Sequence, residues 1–134
     1  MIKVSHLMPT TEKKKVVAAL SDLMFTVKIQ EAAKRANLPI EFVKTGEDLL
    51  EKAKEQPKLI ILDLNCASIH AVELIRKMKS DPDLKKIYLI AFLSHVQGEL
   101  KQSAHEAGCD MVLARSAFSQ NIVQILQRHS GVVV

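Results

Sequence analysis

The chain has 134 residues, 48% of them apolar, and a net charge of +4. That is the size of one domain able to bury its own core, and no apolar run approaches the ~20 residues that a bilayer crossing needs. Two cysteines make neither a disulfide framework nor a zinc site. Scattered basic residues and 4% aromatics without Trp offer no base-stacking platform, so neither a membrane nor a nucleic-acid role is expected.

Residues 1–13 carry no periodic signal, and Pro9-Thr10-Thr11 looks like loop; they are read as an N-terminal tail before a domain over 14–130. No signal peptide is visible, so cytoplasmic residence is expected. Val16 to Leu20 is a short apolar strand. Ser21 or Asp22 then offers a helix cap, because either side chain can accept the free amide hydrogens of a first turn. Leu23 to Ala36 has helical spacing, with Phe25, Ile29, Ala32, Ala33 and Ala36 on one face. Asn37 and Pro39 end it.

Ile40 to Val43 alternates like an edge strand, and Thr45-Gly-Glu-Asp48 resembles a capping box before a short polar helix over Leu49 to Glu55. Leu59 to Leu62 is continuously apolar and runs into Asp63. Such a run bounded by polar loop residues reads as a strand buried on both faces, found at the centre of a helix-covered parallel sheet. Ala71 to Lys79 is helical, Ile87 to Leu93 is a second continuous apolar strand, and Gln97 to Ala107 is a weak helix with Gly108 placed as its left-handed cap. Met111 to Ala114 is a fifth strand, and Ser119 is positioned to cap a last helix bearing Ile122, Val123, Ile125 and Leu126.

Five strands each followed by a helix predict an α/β fold with a parallel sheet covered on both faces. Right-handed crossovers then favour the flavodoxin-like (βα)5 arrangement with strand order 2-1-3-4-5. Val17, Ala19, Ile29, Leu59, Ile61, Leu62, Ile75, Ile90, Ala91, Leu113 and Ile125 are the expected core. In this order the carboxyl ends of strands 1 and 3 flank the crevice where open α/β sheets place their chemistry, and Asp63 stands there.

With Leu-Ile-Ile-Leu-Asp-Leu-Asn at 59–65 and Ala-Gly-Cys-Asp at 107–110, the chain resembles the receiver domain of two-component response regulators over about residues 14 to 130. The resemblance implies a phosphoacceptor role for Asp63, a magnesium contact at the Asn65 backbone carbonyl, and a phosphate and switch pocket at Arg115 and Ser94, although a strict count puts Leu93 at the position of the hydroxyl that ends strand 4. Arg115 stands where the family places a lysine on the phosphoryl oxygens. It also implies a signalling partner, either a histidine kinase or a downstream protein, and a role in a phosphorelay-type pathway rather than an enzyme's.

The departures from the family pattern are specific. Where the family ends strand 1 with two adjacent carboxylates, a gapless count gives Leu20 and Ser21, with Asp22 one residue later. Arg115-Ser116 replaces Lys-Pro, and Val112 takes the aromatic switch position. Magnesium would be left with Asp63, Asp22 and Asn65, weakly held or absent, since the ion wants about two carboxylates plus phosphate oxygens. An atypical, stand-alone receiver acting by protein contact is therefore expected, with Arg115 pairing directly to Asp63. The alternative is a working magnesium-dependent phosphoacceptor at Asp63.

Other constellations are weaker. Asp63, His70 and His95 fall on one edge but match no short metal motif, and the serines at 21, 68, 94 and 116 lack the nucleophile elbow of a hydrolase. The fourth helix is polar and the last helix turns Gln120, Gln124 and Gln127 outward. A monomer or weak dimer is expected.

Overall fold

A computed structural model describes residues 15–94 and 97–129, the side chain of residue 129 excepted. The expected tail over 1–13, the C-terminal valines and His95 lie outside the described residues. The elements are β1 (Val16–Ala19), α1 (Leu23–Arg35), β2 (Ile40–Val43), α2 (Gly46–Ala53), β3 (Leu59–Asp63), α3 (Ala71–Ser80), β4 (Tyr88–Leu93), α4 (Gly98–Ala107), β5 (Met111–Ala114), α5 (Arg115–Gln120) and α6 (Ile122–His129). All strand pairings are parallel, in the order β2-β1-β3-β4-β5. This is the expected flavodoxin-like arrangement. Among the described residues no helix is long and apolar enough to cross a membrane.

The pleat of the three inner strands divides the core in two. Val17, Ala19, Ile60, Leu62, Leu89 and Ala91 pack against Leu49, Ala53, Leu74, Ile75, Met78 and Ala104 of α2, α3 and α4. Their neighbours Val16, Ala18, Leu59, Ile61, Ile90 and Phe92 pack against Phe25, Ile29 and Ala33 of α1 and Phe118, Ile125 and Leu126 of α5 and α6. Two-sided burial is why these strands read as unbroken apolar runs. Leu113 departs from the expected core. It is only half-buried because β5 is an edge strand with a single neighbour.

Two helix starts follow the side chains that cap them. Asp22 caps α1 by accepting from the Phe25 amide at 3.0 Å, and Thr45 caps α2 by accepting from the Asp48 amide at 3.1 Å. The α2 helix thus begins at Gly46, three residues before the sequence suggested. The chain leaving β5 gives the larger correction. Ser119 caps nothing. The backbone turns into α5 directly at Arg115, with no side-chain cap, and Asn121 breaks the helical run before α6. Ser119 lies inside α5, where its hydroxyl accepts from Lys28 at 2.9 Å. Phe118, fully buried between Phe25 and Phe92, anchors this early turn. The turn sets Arg115 at the carboxyl edge of the sheet.

Candidate functional site

Asp63 ends β3 beside β1 and is only 4% exposed, the one charged residue in the described core. Its Oδ1 accepts from the Asn65 amide at 2.9 Å. The Asn65 side chain then ties two loops together, accepting from the Ser94 amide at 2.7 Å and donating to Gln97 Oε1 at 2.8 Å. Burial pushes the Asp63 carboxyl above its ordinary value of 3.8. The Asn65 amide and the Arg115 charge oppose the shift, and the nearby Asp22 charge adds to it.

Arg115 reaches back across the sheet edge from the first turn of α5. Its Nη1 donates to Asp22 Oδ2 at 2.9 Å, while Nη2 stands 3.8 Å from Asp63 Oδ2. The second separation is too long for a hydrogen bond and acts through charge alone. The expected Asp63–Arg115 pair is thus the weaker half of a triad in which Asp22 is the hydrogen-bonded partner. Asp22 serves two elements at once. The Phe25 amide first, and then Arg115, hold its carboxyl below the usual aspartate value.

Beneath the guanidinium lies an aromatic bed. Its Cζ is 4.6 Å from the Phe25 ring centre and 5.5 Å from that of Phe92. Phe92 stacks on Phe118 at 5.2 Å, and Phe25 closes the trio at 4.9 Å from Phe92. Leu20 packs into the same cluster and is 1% exposed. Where the family resemblance calls for a metal carboxylate, this chain therefore has a core residue. The Arg115 Nε is buried without a hydrogen-bond partner.

Several sequence-level candidates are not drawn into this site. Ser94 is exposed and contributes a backbone amide to Asn65. Ser21 accepts from the Cys66 thiol at 3.5 Å, and Ser68 donates to the Lys44 carbonyl at 2.6 Å, so both fasten loops. His70 adopts a left-handed backbone at φ 55° and lines a separate groove with Cys66 and Leu100. Sequence reasoning missed the Asp22–Arg115 bond, the aromatic bed and Gln97. The available signal was Asp22 itself, which stood out twice, as a cap and as a spare carboxylate.

The fold's magnesium chemistry fits these residues poorly. Asp22 commits one oxygen to the Phe25 amide and the other to Arg115, and Leu20 and Ser21 bring no carboxylate. A monovalent guanidinium already stands against both acidic groups. Among the described residues no group of three or more His, Cys, Asp or Glu side chains is placed to hold a metal.

The sequence matches no family model and no curated protein. Solved structures do match. A response regulator in red light signalling of R. palustris is 17% identical over 90% of this chain and 96% of its own, with a TM-score of 0.75. The chemotaxis response regulator CheY4 of Vibrio cholerae is 20% identical over 85% of this chain and 96% of its own, with a TM-score of 0.74. The receiver domain of a sensor histidine kinase from Pseudomonas aeruginosa, solved with a magnesium ion in its active site cleft, is 18% identical over 87% and 97%, with a TM-score of 0.75. This chain has the receiver-domain fold.

Proposed function

We propose that this chain is an atypical receiver-type signalling module that works in the cytoplasm by binding another signalling protein, without magnesium-dependent phosphorylation of Asp63. The observation that supports this reading is the seat of Arg115 between Asp22 and Asp63. Phosphoryl transfer to a carboxylate needs a cation that draws donor and acceptor oxygens together. A guanidinium stabilises a bound oxyanion but does not perform that bridging.

A surface for such contact lies beside the site. Leu23, Met24 and Val27 on the first turns of α1 are 76%, 83% and 49% exposed. Met24 and Val27 continue into a groove of about 770 Å³ between α1 and the α5–α6 segment, walled also by Lys28, Glu31 and Ile122. Because Asp22 is both the α1 cap and the Arg115 partner, the site and this surface share one anchoring residue.

The deciding experiment is incubation with acetyl phosphate at millimolar magnesium, read by intact-mass spectrometry. No phosphoryl adduct is expected, and Asp63→Asn is expected to leave partner binding intact. A second reading, a phosphoacceptor switch served by a histidine kinase, draws support from the position of Asp63 at the end of β3 with its Asn65 amide contact. Stoichiometric, magnesium-dependent labelling of Asp63 would establish it. Sedimentation at micromolar concentration is expected to show a monomer or weak dimer, and a tight dimer would contradict the reading.

A further inference from the structure

We propose that Arg115 couples the charge at Asp63 to the first turn of α1, bracing that turn when it leans on Asp22 and loosening it when Asp63 draws it away. The proposal deepens the reading above and rests on it, since it gives the α1 contact surface a control built into the carboxyl edge.

Arg115 touches the first turn of α1 twice. Its Nη1 donates to Asp22 Oδ2 at 2.9 Å, and its Cζ lies 4.6 Å from the ring centre of Phe25. Asp22 holds the same turn from within. Its Oδ1 accepts from the Phe25 amide at 3.0 Å. Its carbonyl accepts from the Thr26 amide at 2.9 Å and from the Thr26 hydroxyl at 2.8 Å. The turn itself carries no acidic residue, so Asp22 supplies the negative charge that this helix end favours. Leu23 and Met24 stand exposed on that turn, and Val27 just beyond it. The patch offered to a partner is therefore carried by the turn that Arg115 braces.

The guanidinium is shared. Its Nη2 stands 3.8 Å from Asp63 Oδ2, too far for a hydrogen bond but close enough for charge to act. Its buried Nε has no hydrogen-bond partner, so that donor does not anchor the side chain against the pull. Helix ends open at low free energy, and a small change in this balance shows there first. The start of α2 is built alike but on a neutral cap. Thr45 accepts from the Asp48 amide through its hydroxyl and from the Leu49 amide through its carbonyl, each at 3.1 Å.

The competing account makes Arg115–Asp22 an ordinary ion pair, at 29% and 37% side-chain exposure, that adds a little stability and transmits nothing. Amide hydrogen exchange, read by nuclear magnetic resonance on the full chain, separates the two. Arg115→Met keeps an apolar stem on the rings, and Arg115→Gln serves if methionine disturbs the fold. Either is expected to speed exchange at Phe25 and Thr26 by about threefold to tenfold relative to Asp48 and Leu49. Asp63→Asn is expected to slow the same two amides, because the guanidinium then leans on Asp22 alone. Asp22→Asn keeps the cap but gives the guanidinium no charge to return to. In that background Asp63→Asn should change neither amide.

Two outcomes overturn the proposal. One is a folded Arg115 variant whose Phe25 and Thr26 amides exchange as in the native chain. The other is an Asp63→Asn chain in which these amides fail to slow, or slow equally when Asp22 is asparagine. No partner enters the measurement, so the contact-module reading fails separately, if acetyl phosphate labels Asp63 of the native chain.

Discussion

Both ends of the sheet carry a carboxylate facing a cation from another element, and the two are built differently. At the amino edge, Asp110 Oδ2 accepts from Lys79 Nζ at 2.8 Å and from the Leu89 amide at 2.8 Å. Lys79 gives its other two hydrogens to the carbonyls of Lys85 and Ile87, each at 3.1 Å. All three donors of the ammonium are used. At the carboxyl edge, Arg115 has one carboxylate at hydrogen-bond distance, a second at 3.8 Å, and an Nε with no partner. The amino edge is a closed clamp that locks β4, β5 and the end of α3. The carboxyl edge is closed by one hydrogen bond to Asp22 and, toward Asp63, by charge alone. One donor here, the Arg115 Nε, is left unpaired beside a buried acid, whereas the Lys79 ammonium is fully paired.

The central strand between the two regions gives the largest expected effect. Ile61, fully buried in the central strand β3, packs in the core beneath the Phe25–Phe92–Phe118 cluster, and Ile61→Ala should cost ~2–5 kcal/mol in urea unfolding. The clamp comes next. Lys79→Met removes three hydrogen bonds, to Asp110 and to the Lys85 and Ile87 carbonyls, and should cost about 1–3 kcal/mol. Gly108→Ala should cost a similar ~1–3 kcal/mol. At φ 108° its new Cβ would strain the backbone and lie 2.9 Å from the Lys79 Cγ. If both leave the melting temperature unchanged, the amino edge is no clamp.

The carboxyl edge should respond with the opposite sign and the smallest size. Burial raises the Asp63 carboxyl above 3.8 in the folded chain, so the folded state favours the protonated form. Its stabilising contribution is complete below pH 3.8 and is lost as pH rises through the raised folded value. At pH 7 the native chain therefore holds a penalised charge. Asp63→Asn should stabilise it slightly, since burial of the charge outweighs the attraction to Arg115 at 3.8 Å. The gain should shrink to nothing as pH falls through the raised value toward 3.8. Asp22 titrates the other way, its contribution present above 3.8 and lost as pH falls through its lowered value, and it cancels because both proteins carry it. Denaturant curves at pH 7 and in mild acid test this. Destabilisation by Asp63→Asn at pH 7 would mean that the Arg115 attraction outweighs burial.

The periodicity of the chain was enough to determine the five strands, their parallel order and the place of Asp63 among them. Burial on both faces demands continuous apolar runs such as Leu59 to Leu62, and right-handed crossovers leave few ways to order them. Gly108 was legible for a related reason, since a left-handed helix end asks for glycine locally. Local signals failed where the decisive contact is distant. Ser119 had the chemistry of a cap, but the burial of Phe118 against Phe92 drew the helix start forward to Arg115. Leu113 was expected in the core although the expected strand order already put its strand at the edge, where a single neighbour leaves it half-buried. Arg115 and Asp22 are 93 positions apart, and nothing in either neighbourhood announces the other. Leu20 read as a missing carboxylate, and only the packed chain makes it a buried member of the cluster that holds Phe25, Phe92 and Phe118. The pattern of apolar residues settled the frame because it is a local constraint repeated many times. Only the tertiary structure decided that Arg115 gives its hydrogen bond to Asp22 and stands 3.8 Å from Asp63, because charge pairing depends on a distance between side chains that no local pattern encodes.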